Sequence, residues 1–90
     1  MRDDRPDDNS DEPHERTVMS GDQYKSAVER LGMTQVGSAR FFGVADTTSR
    51  RWISGKMIVP PAVSMLLAVM LEYQLTPHQV IALEDRVASL

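Results

Sequence analysis

No cysteine occurs anywhere in the chain, which takes a disulfide framework and thiolate metal sites out of consideration. Histidine is nearly as scarce. His14 and His78 stand far apart, and neither has a cluster of ligating side chains beside it, so no zinc site is expected. No segment shows the polar–apolar alternation of a strand. The longest apolar run, Met57 to Leu71, contains Pro60 and Pro61 and is too short to cross a bilayer, which takes about 20 residues. A run of this kind reads as a buried helix. The first residues are rich in acids and lack an apolar stretch, unlike a secretion signal. No nucleophile–base set, carboxylate pair or phosphate-binding glycine loop can be recognised, so no enzyme is expected and no cofactor is implied. Together these absences lead to the expectation of a cytoplasmic protein with no membrane partner.

What is present is an uneven distribution of charge. The formal net charge is -3, unfavourable for a partner of nucleic acid until the charges are located. Residues 1–19 carry seven acids (Asp3, Asp4, Asp7, Asp8, Asp11, Glu12, Glu15) against three arginines, a balance of -4. Residues 25–56 carry Lys25, Arg30, Arg40, Arg50, Arg51 and Lys56 against Glu29 and Asp46, a balance of +4. Residues 57–90 return to -2 through Arg86 against Glu72, Glu84 and Asp85. Positive charge is therefore gathered on one stretch, as a phosphate-facing surface requires.

Residues 1–19 cannot bury enough apolar surface to offset the entropy of ordering, and a disordered acidic tail is expected there. It reads as a solvating segment, or as one that folds over the basic stretch and competes with phosphate. Residues 20–90 are left to build the domain. About 70 residues lie near the lower limit for independent folding, so dimerisation is a natural further source of stability.

Five helices are predicted over residues 20–90. Ser20 with Gln23 fits a capping box, and Tyr24, Ala27, Val28 and Leu31 form one apolar face. Gly32 is the expected left-handed stop, with Met33 covering the end. Thr34 caps a second helix, Gln35 to Phe42, and Gly43 supplies the positive φ of a tight turn plugged by Val44. A third helix starts at Ala45 or Asp46 and runs to Ile53 or Ser54 before Gly55. Pro60-Pro61 opens a fourth, expected to reach about Leu75. Its core side is Val63, Leu66, Leu67 and Met70, leaving Met65 and Val69 outside. Thr76, Pro77 and Gln79 open a fifth, which carries Val80, Leu83, Val87 and Leu90 on one stripe.

Several features fall at fixed spacing over about 20 residues. Thr34-Gln35 opens the second helix, Ala39 follows Gln35 by four, Gly43-Val44 forms the turn, and Arg50-Arg51-Trp52 precedes Gly55. On these, residues 20–75 resemble the helix-turn-helix domain of phage-repressor-like (lambda repressor and Cro type) bacterial transcription regulators. The resemblance implies an all-α, five-helix lambda-repressor-like DNA-binding domain whose third helix enters the major groove of double-stranded DNA. Ala39 lets the two helices approach closely, and Phe42, Val44 and Trp52 read as the core that locks them. Phe41 is expected to be partly exposed. Two positions depart from the family pattern. Ser49 stands where Val or Ile is usual, and Ser38 replaces a frequent Leu. Both are expected to weaken the core, with Ser49 able to bond back to the Ala45 carbonyl.

Asp46, Thr47, Arg50, Arg51 and Ser54 share the face opposite Trp52. The resemblance puts Asp46, Thr47 and Arg51 at base edges, with Arg50 and Ser54 beside them. Arginine can bond guanine O6 and N7 together, and Thr47 can touch a thymine methyl. Asp46 suits either cytosine N4 or a plain helix cap; Arg50 suits either a base, a phosphate or solvent. Thr34 and Gln35 lie at the positive end of the second helix, a phosphate-binding position. Lys56 is expected on the DNA backbone. By resemblance, Gln35 also steadies Asp46.

The leading expectation is thus a sequence-specific transcriptional regulator, a repressor binding an inverted repeat as a homodimer through Val80, Leu83, Val87 and Leu90. An antitoxin that represses its own operon and also binds a toxin is a second reading, with the acidic tail as the toxin-binding segment. A third is a protein-interaction adaptor on the same fold, against which Arg50, Arg51 and Lys56 argue.

Overall fold

In the computed structural model, which describes residues 17–90, four of the five helices begin at a capping hydroxyl or a proline. Helix α1 (Gly21–Arg30) starts from a complete capping box. Ser20 Oγ accepts the Gln23 amide at 3.1 Å, and Gln23 Oε1 accepts the Ser20 amide at 2.9 Å. Its C-terminus closes with Gly32 at φ 80° and the Met33 amide donating back to the Val28 carbonyl at 2.9 Å, the Schellman arrangement.

Helix α2 (Gln35–Phe42) is capped by Thr34, whose Oγ1 accepts the Gly37 amide at 2.9 Å. Gly43, at φ 72°, ends it and turns the chain into α3 (Asp46–Ser54). Helix α4 (Pro61–Glu72) has proline in its first turn, and α5 (Pro77–Ala88) begins with a second complete box between Thr76 and Gln79. Among the described residues there is no strand, and no helix is long and apolar enough to cross a membrane.

Helix α1 lies across both α2 and α3 and also touches α4. Tyr24, Phe42 and Trp52, one from each of α1, α2 and α3, form a ring cluster. The Tyr24–Trp52 centroids are 5.5 Å apart in an edge-to-face arrangement, a geometry favoured beyond simple area burial. Ala27, Val28, Val59 and Leu67 join Tyr24 and Trp52 in the core cluster, and Ala39 and Met70 are buried as well. Phe41 is half-buried against Phe42.

Three expectations need correction. The two serines are hydrogen-bonded within this core. Ser38 and Ser49 are fully buried, as is Tyr24, and their hydroxyls meet the Tyr24 hydroxyl at 3.1 and 2.9 Å. Ser49 thus turns inward to tyrosine rather than back to the Ala45 carbonyl, because a buried phenol needs polar partners.

The fourth helix stops at Glu72, short of Leu75. Gln74 adopts φ 56°, and the Leu75 amide reaches back to the Met70 carbonyl at 2.8 Å, a left-handed stop made without glycine. The tail expected over residues 1–19 lies outside the described residues as far as residue 16, but its last part is packed. Val18 and Met19 are half-buried, Met19 rests on the core, and its amide donates to Ser64 Oγ at 3.1 Å. The Met19 side chain is apolar enough to join the core, although it ends a polar stretch.

Candidate nucleic-acid interface

Helix α3 separates its faces cleanly. Ser49 and Trp52 are buried, Thr48 and Ile53 half-buried, while Asp46, Thr47, Arg50, Arg51 and Ser54 are all exposed. A period of 3.6 residues puts those five on one side, so the buried indole of Trp52 anchors the helix from behind.

Thr47, Arg50, Arg51 and Ser54 line a concavity of about 530 Å³ together with Gln35 and Lys56. Six of the eight expected DNA-contacting residues thus border one hollow. Asp46 and Thr34 stand outside its lining. Asp46 is not the N-cap, since that position is Ala45, which has no side chain to cap with. Its carboxylate sits instead in the exposed first turn, near the positive end of the helix dipole. Thr34 spends its Oγ1 on the Gly37 amide, and its carbonyl accepts the Ser38 amide at 2.8 Å. The amides of Gln35 and Val36 precede these in the first turn, where helix donors have no acceptor within the helix.

Two more residues border the hollow that sequence reasoning left out, Lys25 and Ile53. Lys25 projects from α1, and its place follows from Gly21 one turn earlier. The Gly21 backbone lies so close to the carbonyls of Trp52 and Ile53 that a Cβ would collide with them. That approach brings α1 against the end of α3 and seats Lys25, four residues on and on the same face, beside the arginines. The available signal was charge. Lys25 belongs to the basic stretch, but its sequence neighbours do not say which way it faces.

One polar bond joins the two helices at their starts. Gln35 Nε2 donates to the Asp46 carbonyl at 3.3 Å, the contact that the resemblance implies. At the far end of α3, Gly55 at φ 84° stops the helix. The Arg51 carbonyl there accepts the Met57 amide at 3.1 Å and the Ser54 hydroxyl at 3.3 Å. Ser54 Oγ in turn accepts the Lys56 amide at 3.4 Å. Ser54 therefore spends its proton closing the helix and presents an acceptor at most.

In chemical terms the hollow combines two guanidinium forks, two ammonium groups, one carboxamide and one threonine methyl. Guanidinium forks match phosphate and the O6/N7 edge of guanine, while lysines act as mobile point charges for phosphate. Helix α5 contributes nothing to this side. It buries none of its residues. Of its expected stripe, Leu83, Val87 and Leu90 are exposed, whereas Val80 is half-buried, and Ile81 is a further exposed apolar residue outside the stripe.

No protein-family model, no curated protein and no solved structure matches the chain.

Proposed function

We propose that this chain is a sequence-specific regulator of transcription that binds double-stranded DNA, of the phage-repressor-like kind, and acts as a repressor. One observation carries the reading. A short helix pinned from behind by Trp52 exposes Thr47, Arg50 and Arg51 in one row, and Lys25, Gln35 and Lys56 border the same hollow. Thr47 and Arg51 read base edges, Arg50 reaches a base or the adjoining phosphate, and the start of α2 with Lys25 and Lys56 holds the backbone. Phosphate contacts set orientation and affinity; the base contacts carry the sequence information.

A single α3 spans only a few base pairs, so the working unit is a two-fold dimer. Its recognition helices sit about one DNA turn apart, roughly 34 Å. The exposed apolar residues of α5, together with the outer side of α4, form the contact. The test is selection of bound duplexes from a random pool by the full chain. Enrichment of an inverted repeat with half-site centres about 10 base pairs apart is the expected result. A pool that shows no enriched sequence after successive rounds defeats the reading.

A further inference from the structure

The fully buried hydroxyls of Tyr24, Ser38 and Ser49 come from three different helices, α1, α2 and α3. Tyr24 Oη lies 3.1 Å from Ser38 Oγ and 2.9 Å from Ser49 Oγ, and Ser38 Oγ lies 2.8 Å from the Gln35 carbonyl. Only one arrangement of protons uses all three of these bonds. Ser38 donates to the Gln35 carbonyl, so it must accept from Tyr24. Tyr24 has a single proton and has given it to Ser38, so it must accept from Ser49. The result is a one-way relay from α3 through α1 to the first turn of α2, with each hydroxyl donating once. At 3.3 Å the Ser38–Ser49 pair is left as a close contact within the triangle.

Apolar packing is non-directional and by itself tolerates small rolls of one helix on another. Buried hydrogen bonds with their protons assigned do not, because any slide leaves a phenol or hydroxyl without a partner in a dry interior. Ser49 is part of α3 itself, one position before Arg50. A roll of α3 that moved Arg50 and Arg51 along a groove would pull Ser49 Oγ off Tyr24 Oη.

We infer that Tyr24, Ser38 and Ser49 are positioning residues that set the roll and register of α3, and thereby decide which bases Thr47, Arg50 and Arg51 reach. The inference rests on the DNA-binding reading above. The three side chains are fully buried and cannot reach DNA, so their effect falls on discrimination between sequences and not on overall attraction to phosphate.

Two full-chain variants separate positioning from stability. Tyr24→Phe breaks both bonds to the phenol and leaves Ser49 and Ser38 only their longer 3.3 Å contact with each other. The triple variant Tyr24→Phe, Ser38→Ala, Ser49→Ala removes all three hydroxyls together and leaves no orphan, so most of the thermal stability returns. Each is titrated with duplex selected by the wild-type chain and with random duplex of equal length. Residual dipolar couplings measured by NMR give the angle of α3 to α1. In both variants α3 is expected to turn relative to α1. The ratio of selected to random affinity is expected to fall on the order of tenfold, the scale of one good base contact.

A triple variant that keeps the wild-type couplings and the wild-type ratio overturns the inference, since the hydroxyls would then be filling space only. If the wild-type chain selects no sequence, the DNA reading fails by itself. The couplings still decide the positioning role, with an unturned α3 refuting it.

Discussion

A Cβ at Gly21 would lie 2.5 Å from the Trp52 carbonyl oxygen and closer still to that of Ile53, and neither is a side-chain atom that can rotate aside. Gly21 is the first residue of α1 and its φ is not positive, so alanine is otherwise tolerated there and a net loss in Gly21→Ala isolates the collision. Overpacking of this kind costs about 1–3 kcal/mol, and a lower Tm in thermal denaturation is expected. A variant melting at or above the wild-type temperature would show that α1 does not seat on the end of α3. The same seating gives Lys25 its role. Lys25→Ala is expected to weaken selected and random DNA alike and to reduce the salt slope by about 1. Arg51→Ala should instead cost about 1–3 kcal/mol on selected DNA and relax preference at one base pair per half-site. Equal losses on both DNAs for Arg51→Ala would move that arginine from base to backbone.

At the scale of the helices, what could be read from the sequence was whatever is decided within four residues. Ser20 with Gln23, Thr34, and Thr76 with Gln79 cap their helices with hydrogen bonds that span three residues. Gly32 and Gly43 carry the positive φ values expected of them, and Gly55, expected to stop α3, also adopts one. The face of α3 followed from its period alone. Illegible were the features made by residues distant in sequence. Tyr24 is separated from Ser38 by 14 positions and from Ser49 by 25, so two core serines looked like defects until their partner was in view. The end of α4 was missed for another reason, because its left-handed residue is Gln74, which carries none of the usual stop chemistry. That conformation strains a residue with a Cβ by about 1–2 kcal/mol. Gln74→Gly removes the strain but loosens the unfolded chain by about 0.4–1 kcal/mol. A net gain of up to about 1.6 kcal/mol is therefore expected, as a Tm higher by a few degrees. A fall in Tm would mean that the Gln74 side chain makes a contact worth more than its backbone strain.

Across the whole molecule, apolar surface remains after the core is complete. On α4, Met65 and Val69 are exposed and Tyr73 follows at 70% exposure; on α5, Ile81, Leu83 and Val87 are exposed, the last at 65%. Helix α5 caps itself well but has no fully buried residue, and an isolated helix of twelve residues is marginal in water without a packing partner. A contiguous exposed apolar patch marks an interface, and these side chains are assigned to one by the proposed function. A second copy is the occupant proposed here, because two α3 helices on a two-fold axis are what a DNA dyad demands. The charge pattern permits it, since the basic cluster of residues 25–56 leaves α5 with Arg86 as its one arginine or lysine, beside Glu84 and Asp85. Val87→Glu places a carboxylate in that contact. An unpaired charge in a closed interface costs several kcal/mol, against a dimer whose whole free energy at micromolar affinity is about 8 kcal/mol. The variant is expected to sediment as a monomer with an unchanged helical spectrum and to bind selected DNA at least tenfold more weakly, while its affinity for an isolated half-site stays at the wild-type value. A wild-type chain that sediments as a monomer at tens of micromolar, or a Val87→Glu chain that binds the full inverted repeat undiminished, would remove α5 from the assembly and leave its apolar face to a different protein.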